Sequence, residues 1–295
     1  MTYRPARVGR HATVEIRGLE HHLVRWGPDS DDPVLCLHGF ADAAATFQFV
    51  ADAIDAELPL LAIDWRGFGG SARSPGGYWF PDYYADLERM IDVFCPRGRA
   101  RIVGHSMGAN VAMIYAGIRP ARVAGVVNLE GFGLPRTQAS QAPERIAAWL
   151  DELRAPPAAG EYASLGELAA RVAKRNPRLT PDIAGFIAAC WSEPLADGRV
   201  RLLTDPAHRH VNPYLYRREE MEACWRRIEA PVLLVVGRES ELALRLAPEG
   251  GVESFRPIVR KLAIEEVAGA GHMLHHEQPR AVARLIEAFF RQLPT

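Results

Sequence analysis

The sequence predicts an α/β protein built on a mostly parallel central sheet. Short, continuous apolar runs of the kind buried on both faces recur along the chain. Helical patterns separate most of them, which is the alternation that parallel crossovers require. One run, Arg101-Ile102-Val103, passes directly into Gly104-His105-Ser106-Met107-Gly108 and then into a helical pattern over residues 109–118. With 295 residues and 48% hydrophobic content, the chain can bury a large core.

In order, residues 12–17 and 22–26 alternate polar with apolar about Gly18-Leu19-Glu20, and predict an opening antiparallel hairpin. The continuous apolar runs follow at 33–37, 60–63, 101–103, 126–129, 232–236 and 261–264. Helices are expected over 46–54, 82–94, 109–118 and 280–293. The alternation breaks between Gly133 and Ile228, where 143–154, 164–176, 181–191 and 217–227 look helical and no strong strand intervenes. Pro135, Pro156-Pro157, Pro177, Pro194, Pro206 and Pro213 punctuate that stretch as helix boundaries and turns. The expected organisation is therefore a core of residues 1–132 and 229–295, with a helical cap over 133–228.

Composition excludes several classes of function. A net charge of −1 gives no electrostatic pull toward nucleic acid or anionic lipid. The basic residues are almost all arginine, with Lys174 and Lys261 the two lysines, and they form no basic patch. No stretch reaches the ~20 apolar residues of a spanning helix, and the first residues lack the apolar run of a secretory leader. Cys36, Cys95, Cys190 and Cys224 are scattered, without Cys-x-x-Cys spacing, so free thiols and a cytoplasmic location are expected, with Cys36 in the core. A small-molecule substrate is the expected partner, with no nucleic acid and no membrane insertion.

The chemistry centres on Ser106. In Gly-x-Ser-x-Gly between a strand and a helix, Gly104 and Gly108 let the chain turn sharply and lift one hydroxyl off the sheet. The positive end of the following helix lies beside it. A serine hydroxyl is a poor nucleophile at neutral pH, so a base within hydrogen-bond reach and a group to hold that base are required.

Four signals then agree in order: His38-Gly39-Phe40 after the first long apolar run, Asp64-Trp65-Arg66-Gly67-Phe68-Gly69-Gly70-Ser71 after the second, Gly104 to Gly108 after the third, and Gly271-His272 with Glu277 and Pro279 late in the chain. In this the chain resembles the α/β-hydrolases with a helical cap over nearly its whole length. The resemblance implies that His272, in the glycine-rich loop after the last strand, is the catalytic base. It also implies that the backbone N–H groups of Phe40 and Met107 form the oxyanion hole, with His38 a structural residue of its turn. Asp64 and Arg66 are expected to buttress the site.

The acid departs from the common family pattern, because Gly237-Arg238-Glu239-Ser240 places Ser240 where an aspartate is usual. Haloalkane dehalogenases carry a glutamate at the end of the preceding strand, and this chain has Glu130 there. Glu130 is therefore the first choice, with Glu239 and Glu241 as alternatives. The nucleophile differs from the aspartate of those dehalogenases and favours acyl chemistry. His272 and His276 stand four residues apart, a spacing used in metal sites, but no third ligand with fitting spacing is visible. The expected mechanism needs neither metal nor organic cofactor.

Phe132, Met273, Tyr214 and His208 are the expected substrate contacts. The sequence thus points to a serine hydrolase acting through an acyl-enzyme on small to medium, largely apolar carboxylic esters. Two other readings stay open: cleavage of another acyl bond (thioester, lactone, amide or the C–C bond of a diketone), and a ligand receptor on the same fold.

Overall fold

The computed structural model describes residues 3–54, 57–247 and 251–293. Met1 and Thr2, at the head of the stretch read for a leader, lie outside the described residues. The chain opens with β1 (Arg10–Ile16) and β2 (Leu19–Trp26), antiparallel and joined by Arg17 and Gly18. Both linker residues have positive φ, 52° and 74°, the backbone of the two-residue turn that matches strand twist.

There follow β3 (Val34–Leu37), α1 (Gln48–Ala53), β4 (Leu60–Ile63), α2 (Phe80–Phe94), β5 (Ala100–His105), α3 (Met107–Ile118) and β6 (Val123–Leu129). Between β6 and the next long strand come α4 (Ala142–Arg154), β7 (Glu161–Tyr162), α5 (Leu165–Arg175), α6 (Pro181–Cys190), β8 (Ser192–Pro194), β9 (Val200–Leu202) and α7 (Arg218–Trp225). The chain closes with β10 (Val232–Gly237), α8 (Glu241–Leu246), β11 (Leu262–Val267), α9 (Leu274–Glu277) and α10 (Pro279–Arg291).

The eight-stranded sheet runs β1-β2-β4-β3-β5-β6-β10-β11, parallel from β4 onward. Strand alternation splits its core in two. Leu35 and Leu37 face a layer formed with α2, α3 and α7, whereas Val34 and Cys36 face one formed with α1 and α10. In α10, Val282, Ile286 and Phe290 recur every four residues and bury one stripe. The strand expected near 261–264 is not covered on both faces: β11 is an edge strand, and Ala263, Glu265 and Glu266 are exposed, with no strand beyond it among the described residues. No helix among the described residues is long and apolar enough to cross a membrane.

The inserted segment is not purely helical. A small antiparallel sheet, β7-β9-β8, sits within it. Strands of two or three residues are too short to show a period of two, so sequence pattern could not reveal them. Leu168, Val172, Ile187, Ala188 and Val200 form a separate small core there, joined by Phe49 of α1. The helix α7 packs instead on α3: a Cβ built at Gly117 would lie 2.0 Å from the Cys224 carbonyl oxygen, and Trp225 is buried in the main core.

Candidate active site

Three parallel strand ends and one loop build the site. At the end of β5 the chain turns through Ser106, whose φ of 49° is one that L-residues rarely adopt. The turn is tight enough to demand glycine on both sides. A Cβ at Gly104 would meet the Ala109 backbone at 2.6 Å, and one at Gly108 the Leu37 carbonyl oxygen at 2.2 Å. The Ser106 amide is tied to the Leu129 carbonyl at 2.8 Å, which fixes the turn to the end of β6.

Glu130, the next residue on that strand, has a φ of 60°. Asn128 holds this second strained turn, its side chain accepting from the Gly131 amide at 2.7 Å and donating to the Gly131 carbonyl at 2.9 Å. The Glu130 amide donates to Val235 of β10 at 3.1 Å. Its carboxylate is buried and doubly held: Oε1 accepts from the Gly237 amide at 2.8 Å, and Oε2 from the Ser240 hydroxyl at 2.6 Å. Ser240, standing where an aspartate is usual, thus holds the carboxylate that comes from the neighbouring strand.

His272 lies between them. Its Nδ1 is 3.2 Å from Glu130 Oε2 and its Nε2 is 3.0 Å from Ser106 Oγ. With Nδ1–H donating to the carboxylate, Nε2 is left to accept the serine proton. Glu239 and Glu241 do not join this group. Glu239 is exposed and accepts from the Gly269 amide at 3.2 Å, and Glu241 is exposed at the start of α8. Their strand, β10, is separated from β5, the strand that ends at Ser106, by β6, which carries Glu130 directly alongside Ser106.

Residues around this group complete the support, and among them sequence pattern assigned His105 no role. His105 is fully buried and its Nε2–H donates to the His272 carbonyl at 2.9 Å. Burial pushes its pKa well below the usual value, so the ring is neutral. Glu277 Oε2 accepts from the Gly271 amide at 2.6 Å, while Oε1 accepts from Asn176 of the inserted segment at 2.7 Å. The sequence marked Glu277 only as part of a loop pattern; its partner is 101 residues away. His38 is buried, with Nδ1–H donating to the Gly39 carbonyl at 2.7 Å and Nε2 accepting from the Trp65 amide at 3.0 Å. Asp64 accepts from the Ala44 and Gly70 amides, and Arg66 makes a bidentate pair with Asp86, both bonds 2.6 Å.

Phe40 and Met107 both line a cavity of about 420 Å³, together with Tyr78, Trp79, Tyr83 and Trp149. Met107 is the first residue of α3, where an amide has no intrahelical acceptor. His208 lines the same cavity, stacked between Phe68 (3.8 Å between centroids) and Tyr78 (3.5 Å). Burial lowers its pKa to about 4, against the opposing pull of the Arg66 carbonyl and Asp205. Two expected contacts are placed differently. Phe132 is 1% exposed and packs in the main core with Met107 and Trp225, because the turn at Glu130 and Gly131 returns the chain to that apolar layer. Tyr214 is 75% exposed and lies edge-on to Trp79 at 5.9 Å, behind the cavity wall. Met273 lines a second, more polar cavity of about 370 Å³ that reaches His272 from the other side, past Arg175, Arg178 and Arg245.

Comparison with known proteins agrees with this architecture. The chain is 40% identical over 115 residues to a serine hydrolase-like protein of Danio rerio, a match covering 38% of this chain and 35% of that one. It is 27% identical to 2-(acetamidomethylene)succinate hydrolase of Mesorhizobium japonicum over 87% of both chains. The thioesterase domain from the curacin biosynthetic pathway superposes with a TM-score of 0.83 at 25% identity, over 95% of this chain and 99% of that one. Residues 34–285 match the model described as the alpha/beta hydrolase family, and to that family this chain belongs.

Proposed function

We propose that this hydrolase works through an acyl-enzyme on Ser106 and acts on small to medium, largely apolar carboxylic esters. The observation that carries the reading is the unbroken run Ser106 Oγ, His272, Glu130, with contacts of 3.0 and 3.2 Å. His272 removes the serine proton as the oxygen attacks the carbonyl carbon. The amides of Phe40 and Met107 take the developing oxyanion, the term that usually dominates such catalysis. Glu130 stabilises the imidazolium, held ready by Ser240 and the Gly237 amide. His272 then protonates the leaving group, and a water activated by the same imidazole clears the acyl-enzyme.

The aromatic cavity beside Phe40 and Met107 fits an apolar acyl group, and the polar cavity beyond His272 offers a route for leaving group and water. Hydrolysis of an amide or thioester by the same steps is the second reading. It is favoured by the names of two relatives, a hydrolase of an acetamido compound and a thioesterase domain. The location expected for such an enzyme is the cytoplasm.

The test is intact mass after incubation with a fluorophosphonate, on wild type and Ser106→Ala, beside hydrolysis of p-nitrophenyl esters from acetate to octanoate. One label per chain, lost with the serine, and a chain-length optimum are expected. Labelling without ester turnover would move the substrate to an amide or thioester, and no labelling at all would sink the acyl-enzyme.

A further inference from the structure

Immediately after His272, three buried side chains converge on a point that the proposed reaction does not use. The short helix α9 carries His275 and His276 into the core, where they meet Asp42 from the loop after β3. All three residues are 2% exposed or less. One carboxylate oxygen of Asp42 is fully engaged: Oδ1 accepts from the Ala43 amide at 2.9 Å, the Thr46 hydroxyl at 2.8 Å and the Trp191 indole at 2.8 Å. The other, Oδ2, faces His275 Nε2 at 3.4 Å and His276 Nε2 at 3.5 Å.

Those two separations are long for charge-assisted hydrogen bonds, which run about 2.7–2.9 Å. They match the edge of a tetrahedral ligand set, since bonds of about 2.0–2.1 Å to nitrogen and oxygen place neighbouring donors about 3.3–3.4 Å apart. Donor atoms of all three residues lie within 4.8 Å of one another. Of the two nitrogens that face Oδ2, His276 Nε2 has no hydrogen-bond partner among the described residues, and a buried imidazole nitrogen left unpaired is costly. The ion-pair contacts of Asp42 among the described residues are to these two imidazoles, with no Arg or Lys in reach.

We propose that Asp42, His275 and His276 form a binding site for one divalent transition-metal cation, distinct from the Ser106–His272–Glu130 group. Two imidazoles and a carboxylate suit Zn²⁺ or its neighbours rather than Ca²⁺ or Mg²⁺, which take mostly oxygen. The three Oδ1 contacts already orient the carboxylate as an outer shell does, and a solvent molecule takes the fourth position. His105 lies tilted against His275, 4.2 Å between ring centroids, but stays out of the set: a Cβ at Gly39 would lie 2.7 Å from its Nδ1, so that nitrogen faces the loop backbone. The bound cation ties the segment that follows His272 to the loop that carries Phe40.

The full chain, stripped with a chelator, is titrated with Zn²⁺ by calorimetry and melted with and without it. We expect one Zn²⁺ per chain, a rise of several degrees in Tm reversed by chelator, and both lost in Asp42→Asn and His276→Leu. His272→Ala is expected to keep both, which separates this site from the proposed catalytic group. Loss of binding with His272→Ala and retention in His276→Leu would overturn the proposal, as would the absence of stoichiometric binding to wild type. If the core variants do not fold, X-ray absorption of Zn²⁺-loaded wild type decides. Two imidazoles in the first shell support the site, and fewer than two overturn it.

Discussion

The sheet edge that carries Ser106 and Glu130 and the helix that walls the apolar cavity, α4, are built in opposite ways. At the edge, two residues with positive φ are each pinned by backbone bonds to the next strand, and Glu130 is buried together with Gly237 and Ser240, which hold its carboxylate. Along α4 no residue is buried, and Ile146, Leu150 and Leu153 are each more than 40% exposed. The helix is held by a few polar contacts, Arg145 to the Asn212 carbonyl at 3.0 Å and Glu152 from the Val211 amide at 2.6 Å. The contrast separates two demands. Reacting atoms must be held within fractions of an ångström, whereas a cavity wall must only exclude water and set a size. Strain is tolerated where its surroundings over-determine it, and α4 has no such surroundings.

Substitutions at the two regions should therefore differ in kind. Ser106→Ala should remove turnover, with kcat falling by at least about 10⁴-fold while Tm holds; retained ester hydrolysis would end the nucleophile assignment. Glu130→Gln should approach the same loss, up to about 10⁴-fold in kcat, and Glu239→Gln or Glu241→Gln should change it less than about threefold. Equal, small effects from all three would show that no carboxylate orients His272. Ser240→Ala sharpens the comparison further, because it removes one of three donors to a buried carboxylate. A hydrogen bond to a charged group is worth about 1.5–3 kcal/mol, so we expect kcat to fall at least tenfold with KM nearly unchanged, and restoration by Ser240→Thr.

Between the two regions stands His208, a wall residue locked between rings. Its pKa in the folded chain, about 4, lies below the unfolded value of about 6.5. As pH falls below 6.5 the unfolded chain binds a proton that the folded chain does not, so stability drops until about pH 4 and then levels off. The contribution is at most about 3 kcal/mol. Urea midpoints measured from pH 7 to pH 4 should fall less steeply in His208→Gln than in wild type. The smallest effect belongs to α4: Trp149→Ala should move stability by less than about 1 kcal/mol and shift the p-nitrophenyl ester optimum to longer chains. A large fall in Tm with no shift in preference would show that α4 is structural after all.

What was legible in the sequence follows from range. The hairpin, the parallel strands and the turn at Ser106 are written in consecutive residues, and each appears where its pattern placed it. Glu130 and His272 could be paired only through likeness to other chains, since 142 residues separate them. The bond from Ser240 to Glu130 was invisible, because a serine in a loop has no pattern of its own. Phe132 misled for a related reason: proximity to a reacting group along the chain says nothing about which way a strained turn then sends it. The short strands of the inserted segment escaped notice through brevity, and Asp42 through its distance from His275 and His276.

The separation along the chain carries one more consequence, in the order of folding. Ser106 and Glu130 belong to a single strand-helix-strand unit, β5-α3-β6, whose contacts are closer in sequence than any that His272 makes with them. The imidazole that meets them arrives from 166 residues downstream of the serine, after the whole inserted segment and β10. During synthesis Ser106 and Glu130 emerge well before the Gly237 amide and Ser240 hydroxyl that hold the carboxylate, and His272 emerges after those. Labelling at Ser106 is therefore expected only once the last strand and the His272 loop have docked, and its onset during refolding would time that closing step.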